Sequence, residues 1–275
     1  MDRSPTTWAG QGPLVVLSHG IGDRRQAYRF LAPKLVAAGY GVAAVDLRGH
    51  GESSMNWRSH DGGDAISRTD VAGDLLAVIR HLGGPAVIIG HSLSGGAATI
   101  AAAQAPDLVS GIIELNPFTK TQKFAAGAVF TVSRYRKGMT HLMAAMIFKS
   151  LGQWMGYLNV AYPVKPADYD HYMAELSVKL REPGRFAEFL KTGKSTPADA
   201  EAQLANISSP ALIIMGTEDP DFADPQAEGD AIVALMPAGL GRAELAEGAG
   251  HYPHADCPDR VAELALSFLE EHARA

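Results

Sequence analysis

GHSLSGG, residues 90–96, directly follows the apolar run Pro85-Ala86-Val87-Ile88-Ile89. Two serines stand two residues apart, and each has a small residue two positions before and after it. A nucleophile elbow carries its side chain on a tight strand-to-helix turn. Backbone comes so close there that the residues two away must be small. Size admits both serines, and the strand separates them. Ile89 is its last apolar residue, so a turn over 90–93 puts Ser92 at the apex. Placing Ser94 there would extend the strand through Gly90-His91-Ser92-Leu93 and shorten the helix that begins Ser94-Gly95-Gly96-Ala97-Ala98. Ser92 is the expected nucleophile. The plainer reading is a glycine-rich turn whose serines only cap a helix.

Three further stretches weigh against that plainer reading. Leu17-Ser18-His19-Gly20-Ile21-Gly22-Asp23 follows the first apolar strand. A His-Gly turn can aim a backbone N–H into a site, and the Ile21 N–H with that of Leu93 would make an oxyanion hole. His19 itself reads as a structural hydrogen-bonding residue. Met215-Gly216-Thr217-Glu218-Asp219-Pro220-Asp221 follows a later strand. A carboxylate there can orient a histidine and stabilise its imidazolium. Asp219 is preferred, with Asp221, Glu218 and the more distant Asp224 as rivals. Gly248-Ala249-Gly250-His251-Tyr252-Pro253-His254 follows the last strand. His251 suits a general base, and the ordinary histidine pKa near 6.5 puts the rise of activity at about pH 6 to 7. His254 reads as a helix-entry residue. No Cys/His/carboxylate set accompanies the two histidines, so no metal site is expected.

Between these stretches, short apolar runs at 14–17, 42–45, 87–89, 111–115 and 211–215 and a last strand at 242–247 alternate with helical patterns at 25–38, 67–82, 93–104, 225–236 and 257–272. Continuous rather than alternating apolar strands imply a sheet covered on both faces. Strand–helix alternation implies parallel pairing with right-handed crossovers. Active residues of such sheets gather beyond the carboxyl ends of the strands, where all the stretches above lie.

Residues 118–198 interrupt the pattern and contain no strand run. They hold 12 basic and 5 acidic residues, a balance of +7, against −13 for the remainder. They read as a helical cap inserted in a core formed by 1–117 and 199–275. Met139, Met143, Met146, Trp154 and Tyr157 could line an apolar acyl or alcohol pocket, although methionines and aromatics at helical spacing more often pack a core. The basic run Arg134, Arg136 and Lys137 could attract an anionic substrate or a membrane surface, and otherwise is a solvated face.

The 275 residues, 47% hydrophobic, suffice for a large core. A net charge of −6 speaks against a nucleic-acid surface. The single cysteine, Cys257, excludes an internal disulfide and fits a reducing compartment. The first residues lack the pattern of a signal peptide, and no apolar stretch reaches the roughly 18 residues of a membrane span. A soluble, cytoplasmic protein is expected.

Taken in order, "HGIGD", "DLRGHGESS" (46–54), "GHSLSGG", "MGTEDPD" and "GAGHYPH" resemble the α/β-hydrolase superfamily over nearly the whole chain. The resemblance implies Ser92, Asp219 and His251 as triad, Ile21 and Leu93 as oxyanion donors, and a mainly structural turn at 46–53. It implies hydrolysis of a carboxylic ester, lactone or acylglycerol without a cofactor. Serine at the elbow argues against the family's dehalogenases and epoxide hydrolases, whose nucleophile is a carboxylate. Carbon–carbon bond hydrolysis, hydroxynitrile cleavage, or ligand binding with slow hydrolysis in signalling are the alternatives. Two departures stand out: Ser94 replaces the usual glycine, and only thirteen residues precede Leu14. The early hairpin is expected to be short or missing, which leaves the strand at 42–45 near an open edge and favours an edge-covering contact or a homodimer.

Overall fold

The computed structural model describes residues 6–273. Seven strands form one sheet in the order β1-β3-β2-β4-β5-β6-β7. They are β1 (Thr6–Ala9), β2 (Leu14–Ser18), β3 (Gly41–Val45), β4 (Ala86–His91), β5 (Val109–Leu115), β6 (Ala211–Gly216) and β7 (Gly241–Ala246). All neighbours pair in parallel except β1, which runs antiparallel to β3.

The strand periodicity of two divides the core cleanly. Leu14, Val16, Ile88, Ile112 and Ile213 face one layer, where α2 (Arg68–Leu82) contributes Val71, Leu75 and Ile79 and α3 (Leu93–Gln104) contributes Ala97 and Ala101. Val15, Leu17, Val87, Ile89, Ile113 and Leu212 face the other, against Leu31 and Leu35 of α1 (Leu31–Ala37) and Val261, Ala265 and Phe268 of the last helix, residues 258–272. Burial on both faces explains why these strands are continuously apolar in sequence. Helix α2 starts where Ser67 accepts from Asp70 N at 3.1 Å, and it ends at Gly83 with φ 82°. Glycine takes that left-handed conformation without strain.

Two expectations change. Residues 25–38 do not form one helix: a 3₁₀ turn over Arg25–Tyr28 precedes α1. Pro33 explains the break. Its ring would clash with the carbonyl of residue 29 in a continuous helix, but it is tolerated in the first turn of α1. The strand at 42–45 is also not at the edge, because β1 pairs along it from Thr6↔Val45 to Ala9↔Val42.

Between β5 and β6 the chain leaves the sheet and forms α4 (Ala128–Thr131), α5 (Ser133–Ile147), α6 (Leu151–Ala161), α7 (Tyr169–Arg181), α8 (Arg185–Lys191) and the short α9 (Ala198–Glu201). Ala200 of α9 already belongs to the sheet layer. The helices before it have their own core of Trp154, Tyr157, Leu158, Tyr162, Tyr172 and Phe189. Tyr252 and Ala255, from the segment after β7, are part of that same core. The chain closes with α10 (Pro225–Ala234) before β7, then α11 (Pro253–Asp256) and α12 (Pro258–His272). None of the described helices is long and apolar enough to cross a membrane.

Candidate active site

The turn between β4 and α3 places Ser92 at φ 55° and ψ −119°. A non-glycine residue in this region carries about 1–3 kcal/mol of strain, which only a tightly constrained surrounding can hold. Gly90 and Gly20 show how tight the surrounding is. A Cβ at Gly90 would lie 2.2 Å from Ser94 O, and one at Gly20 would lie 2.8 Å from Ser92 Cβ. Ser92 N donates to Leu115 O at 3.0 Å, which ties the apex to the end of β5.

The two serines are in different situations. Ser94 is fully buried and committed: its hydroxyl donates to His19 O at 2.6 Å and accepts from Ser18 Oγ at 2.9 Å. Ser92 Oγ makes no capping bond to α3 and faces a cavity of about 210 Å³. Ile21, Leu93 and His251 line the same cavity. As first residue of α3, Leu93 has no carbonyl one turn back to receive its N–H. Ile21 N donates to no group among the described residues. The Ile21 turn is braced from behind by His50, whose Nε2 accepts from Gly22 N at 3.1 Å while Nδ1 donates to Arg48 O at 3.0 Å. His19 is buried and neutral: burial, opposed by the Asp46 charge, holds it down at about 4, and Nε2 accepts from Leu47 N.

His251 Nδ1 donates to Asp219 Oδ2 at 2.8 Å. Asp221 Oδ2 is also near, at 3.4 Å from the same nitrogen. The two carboxylates are themselves organised. Asp221 N donates to Asp219 Oδ1 at 2.8 Å, and Tyr157 on α6 donates its hydroxyl to Asp221 Oδ2 at 2.6 Å. Asp219, Asp221 and His251 present three ligand-type atoms within 4.8 Å of one another. The hydrogen bonds just described engage His251 Nδ1, both Asp219 oxygens and Asp221 Oδ2, so a cation on those atoms would have to displace them. Glu218 lies 3.6 Å from Arg134, and Asp224 caps α10 through Ala227 N at 3.0 Å, so neither of these rivals meets the histidine.

The imidazole is pulled in two directions. Burial disfavours its charge, but Asp219 and Asp221 outweigh that and lift it to about 9. Burial pushes Asp221 up to about 6, with the His251 charge acting against the rise. A base must be neutral to accept a proton, so activity is expected to rise with pH through an alkaline midpoint rather than one at 6 to 7. Asp221→Asn removes one of the two charges, so the midpoint of kcat/KM should fall by about one pH unit or more. A profile that stays in place would deny Asp221 this effect. The linked stability has the opposite sense. A histidine raised when folded contributes stability below the unfolded value, and that contribution is lost as pH rises toward about 9.

The strand ends are clamped by a residue that sequence reasoning passed over. Asn116, at φ 42°, donates Nδ2 to Gly250 O at 2.7 Å and accepts at Oδ1 from Gly216 N at 2.7 Å. One side chain thereby joins the Asp219 loop to the His251 loop. Asn116→Leu leaves both loops with a buried unpaired group, so a loss of about 2–4 kcal/mol in unfolding free energy is expected by denaturant titration. Unchanged stability would mean that another contact holds the loops. The inserted helices also hold His251 in place: His251 N donates to Ala161 O at 2.9 Å, and Tyr252 stacks on Tyr162 with centroids 4.3 Å apart. A Cβ at Gly250 would lie 2.2 Å from Ala161 O, which is why glycine stands there.

Of the expected pocket residues, Met143, Met146, Trp154 and Tyr157 line the cavity and Met139 does not. Met139, half-buried on α5, is off the wall to which Leu142, Met143 and Met146 contribute. Phe118, Leu142, Tyr252 and Arg68 line it as well and were not anticipated. Phe118 carries the only local signal, since it follows the end of β5 as the other site residues follow theirs.

The model of the alpha/beta hydrolase family matches residues 15–264. The chain belongs to the alpha/beta hydrolase family. The 2-(acetamidomethylene)succinate hydrolase of Mesorhizobium japonicum is 28% identical over 215 residues, 75% of this chain and 71% of that protein. Epoxide hydrolase B of Mycobacterium tuberculosis is 36% identical over 110 residues, 39% of this alpha/beta hydrolase and 30% of the relative. A hydrolase from Oleispira antarctica shares the fold at a TM-score of 0.73 and 23% identity, with 98% of this chain and 95% of that chain covered.

Proposed function

We propose that this alpha/beta hydrolase cleaves a carboxylic ester, lactones and acylglycerols included, through an acyl-enzyme on Ser92. One observation carries the reading. A strained serine with an uncommitted hydroxyl shares a cavity with a histidine whose Nδ1 is held by a buried carboxylate. His251 takes the Ser92 proton as Oγ attacks the carbonyl carbon, and Asp219 holds the imidazole in the productive tautomer. The Ile21 and Leu93 N–H groups receive the oxyanion, at on the order of 3 kcal/mol for one donor. His251 then protonates the leaving alcohol. Water, deprotonated by the same nitrogen, cleaves the acyl-enzyme and releases the acid. The apolar side of the cavity, Phe118, Leu142, Met143 and Met146, suits the hydrocarbon part of a small substrate. Serine at the elbow, where a carboxylate nucleophile would be needed, speaks against epoxide opening.

Fluorophosphonate labelling read by intact mass and peptide mapping tests this. One adduct on the Ser92 peptide is expected, absent in Ser92→Ala and retained in Ser94→Ala. An adduct that survives Ser92→Ala, or no adduct on folded protein, would overturn the assignment.

A further inference from the structure

One charged side chain in the cavity has no part in the acyl transfer just described. Arg68, the first residue of α2, is 5% exposed and lines the same cavity as Ser92. Among the described residues, Nε alone of its five N–H donors has a partner, Phe118 O at 2.7 Å, and Nη1 is buried with none. Arg68 forms no ion pair among the described residues. Burial pulls the guanidinium down to about 10, and Asp199 is the acid whose field opposes this. Asp199 is spent elsewhere: its Oδ2 accepts from Thr69 N and Oγ1 at 3.1 and 3.0 Å, and its Oδ1 from Ala200 N at 2.9 Å. A cation at the start of a helix also meets the positive end of the helix dipole. A buried guanidinium without a counter-ion is unfavourable on each of these counts.

The fold nevertheless holds the side chain in place. Gly96, one turn below Ser92, leaves the space it crosses: a Cβ there would lie 2.7 Å from Arg68 Cδ and 3.0 Å from Nε. Phe118 connects it to the elbow, since its N donates to Ser92 O at 3.1 Å and its O accepts from Arg68 Nε. A single residue thus stands between the backbone of the nucleophile and the guanidinium. Trp154 Nε1 is a second buried donor without a partner on the wall of the same cavity.

We propose that Arg68 receives a free carboxylate of the substrate, so that the enzyme acts on half-esters of short dicarboxylic acids or on similarly charged lactones. The inference rests on Ser92 being the nucleophile of this cavity. A planar guanidinium with donors to spare matches a carboxylate two-to-two, and its single charge neutralises a monoanion. The cavity of about 210 Å³ confines the acid to a short chain.

Monomethyl succinate, glutarate and adipate, each paired with the neutral methyl ester of equal chain length, test it in the intact protein. The wild type should favour at least one half-ester over its neutral partner by about 10- to 100-fold in kcat/KM. Arg68→Gln should collapse that ratio, and Arg68→Lys should keep part of it. Glutarate titrated calorimetrically into Ser92→Ala should bind, and Ser92→Ala/Arg68→Gln should not. Binding that depends on Arg68 with no turnover of any ester would sink the hydrolase reading and leave the carboxylate site standing. If Arg68→Gln does not fold, the wild-type ladder and the Ser92→Ala titration decide. No half-ester preference together with no diacid binding, or binding equal in the two variants, overturns the proposal.

Discussion

Ser92→Ala is expected to lower ester turnover by about 10⁴-fold or more while the protein remains folded. The size of the loss follows from the division of labour in the cavity. The Ile21 and Leu93 N–H groups and the apolar wall remain, and they sustain only a residual rate without a nucleophile. Stability should respond separately. Alanine inherits the same φ of 55°, so it inherits the strain. Glycine does not, because it populates that region freely. Ser92→Gly should therefore be as inactive as Ser92→Ala yet more stable, by about 1 kcal/mol once the extra freedom of unfolded glycine is subtracted from the relieved strain. Thermal unfolding of the two variants side by side checks this. Equal midpoints would mean that the elbow is not strained in the sense argued, whatever the kinetics show.

Asp219→Asn is the second large effect, expected at about 10³-fold in kcat/KM. The amide can present its N–H to Nδ1, which favours the wrong tautomer and withdraws a charge from the imidazolium. The neighbouring Asp221, 3.4 Å from the same nitrogen, sets this site apart from a simple triad. It should sustain part of the lost stabilisation in Asp219→Asn, so Asp219→Asn/Asp221→Asn should be slower than Asp219→Asn alone. Asp221→Asn alone should retain far more activity and mainly move the pH profile. The four proteins form a double-mutant cycle, and strict additivity would show that the two carboxylates do not share the histidine. If Asp221→Asn proved the slower single variant, the roles of the two acids would have to be exchanged.

Much of the fold was legible because a doubly covered parallel sheet writes its strands as unbroken apolar runs, and Val87-Ile88-Ile89 or Leu212-Ile213-Ile214 have no other easy reading. The candidate site residues were legible for a related reason: Ser92 and Asp219 come just after such runs, and His251 comes in the loop after the last strand. What was not legible depends on contacts distant in sequence. Strand β1 is four residues with an exposed face, too short to show a pattern, and only its pairing with β3 defines it. The break before α1 is marked in the sequence only by Pro33, inside a stretch whose pattern is otherwise helical. The second carboxylate at His251 could be named as a rival but not as an additional partner, because spacing alone does not say that two acids two residues apart both reach one nitrogen. Asn116 and Arg68 fall in no periodic pattern. Their roles arise from what the fold brings to them: two loops in one case, an unfilled cavity wall in the other.

The attachment of His251 to the inserted helices limits how this enzyme could diversify. Ala161 at the end of α6 accepts the N–H of His251, and Tyr252 and Ala255 are built into the aromatic core of the inserted helices. The insertion is therefore not an interchangeable cassette. Exchanging it wholesale for that of a relative would also exchange the anchor of His251, the proposed general base, and a chimera is expected to lose chemistry along with selectivity. New specificities are more accessible through single side chains on the inner surface of α5, such as Leu142, Met143 and Met146, which face the cavity without anchoring His251.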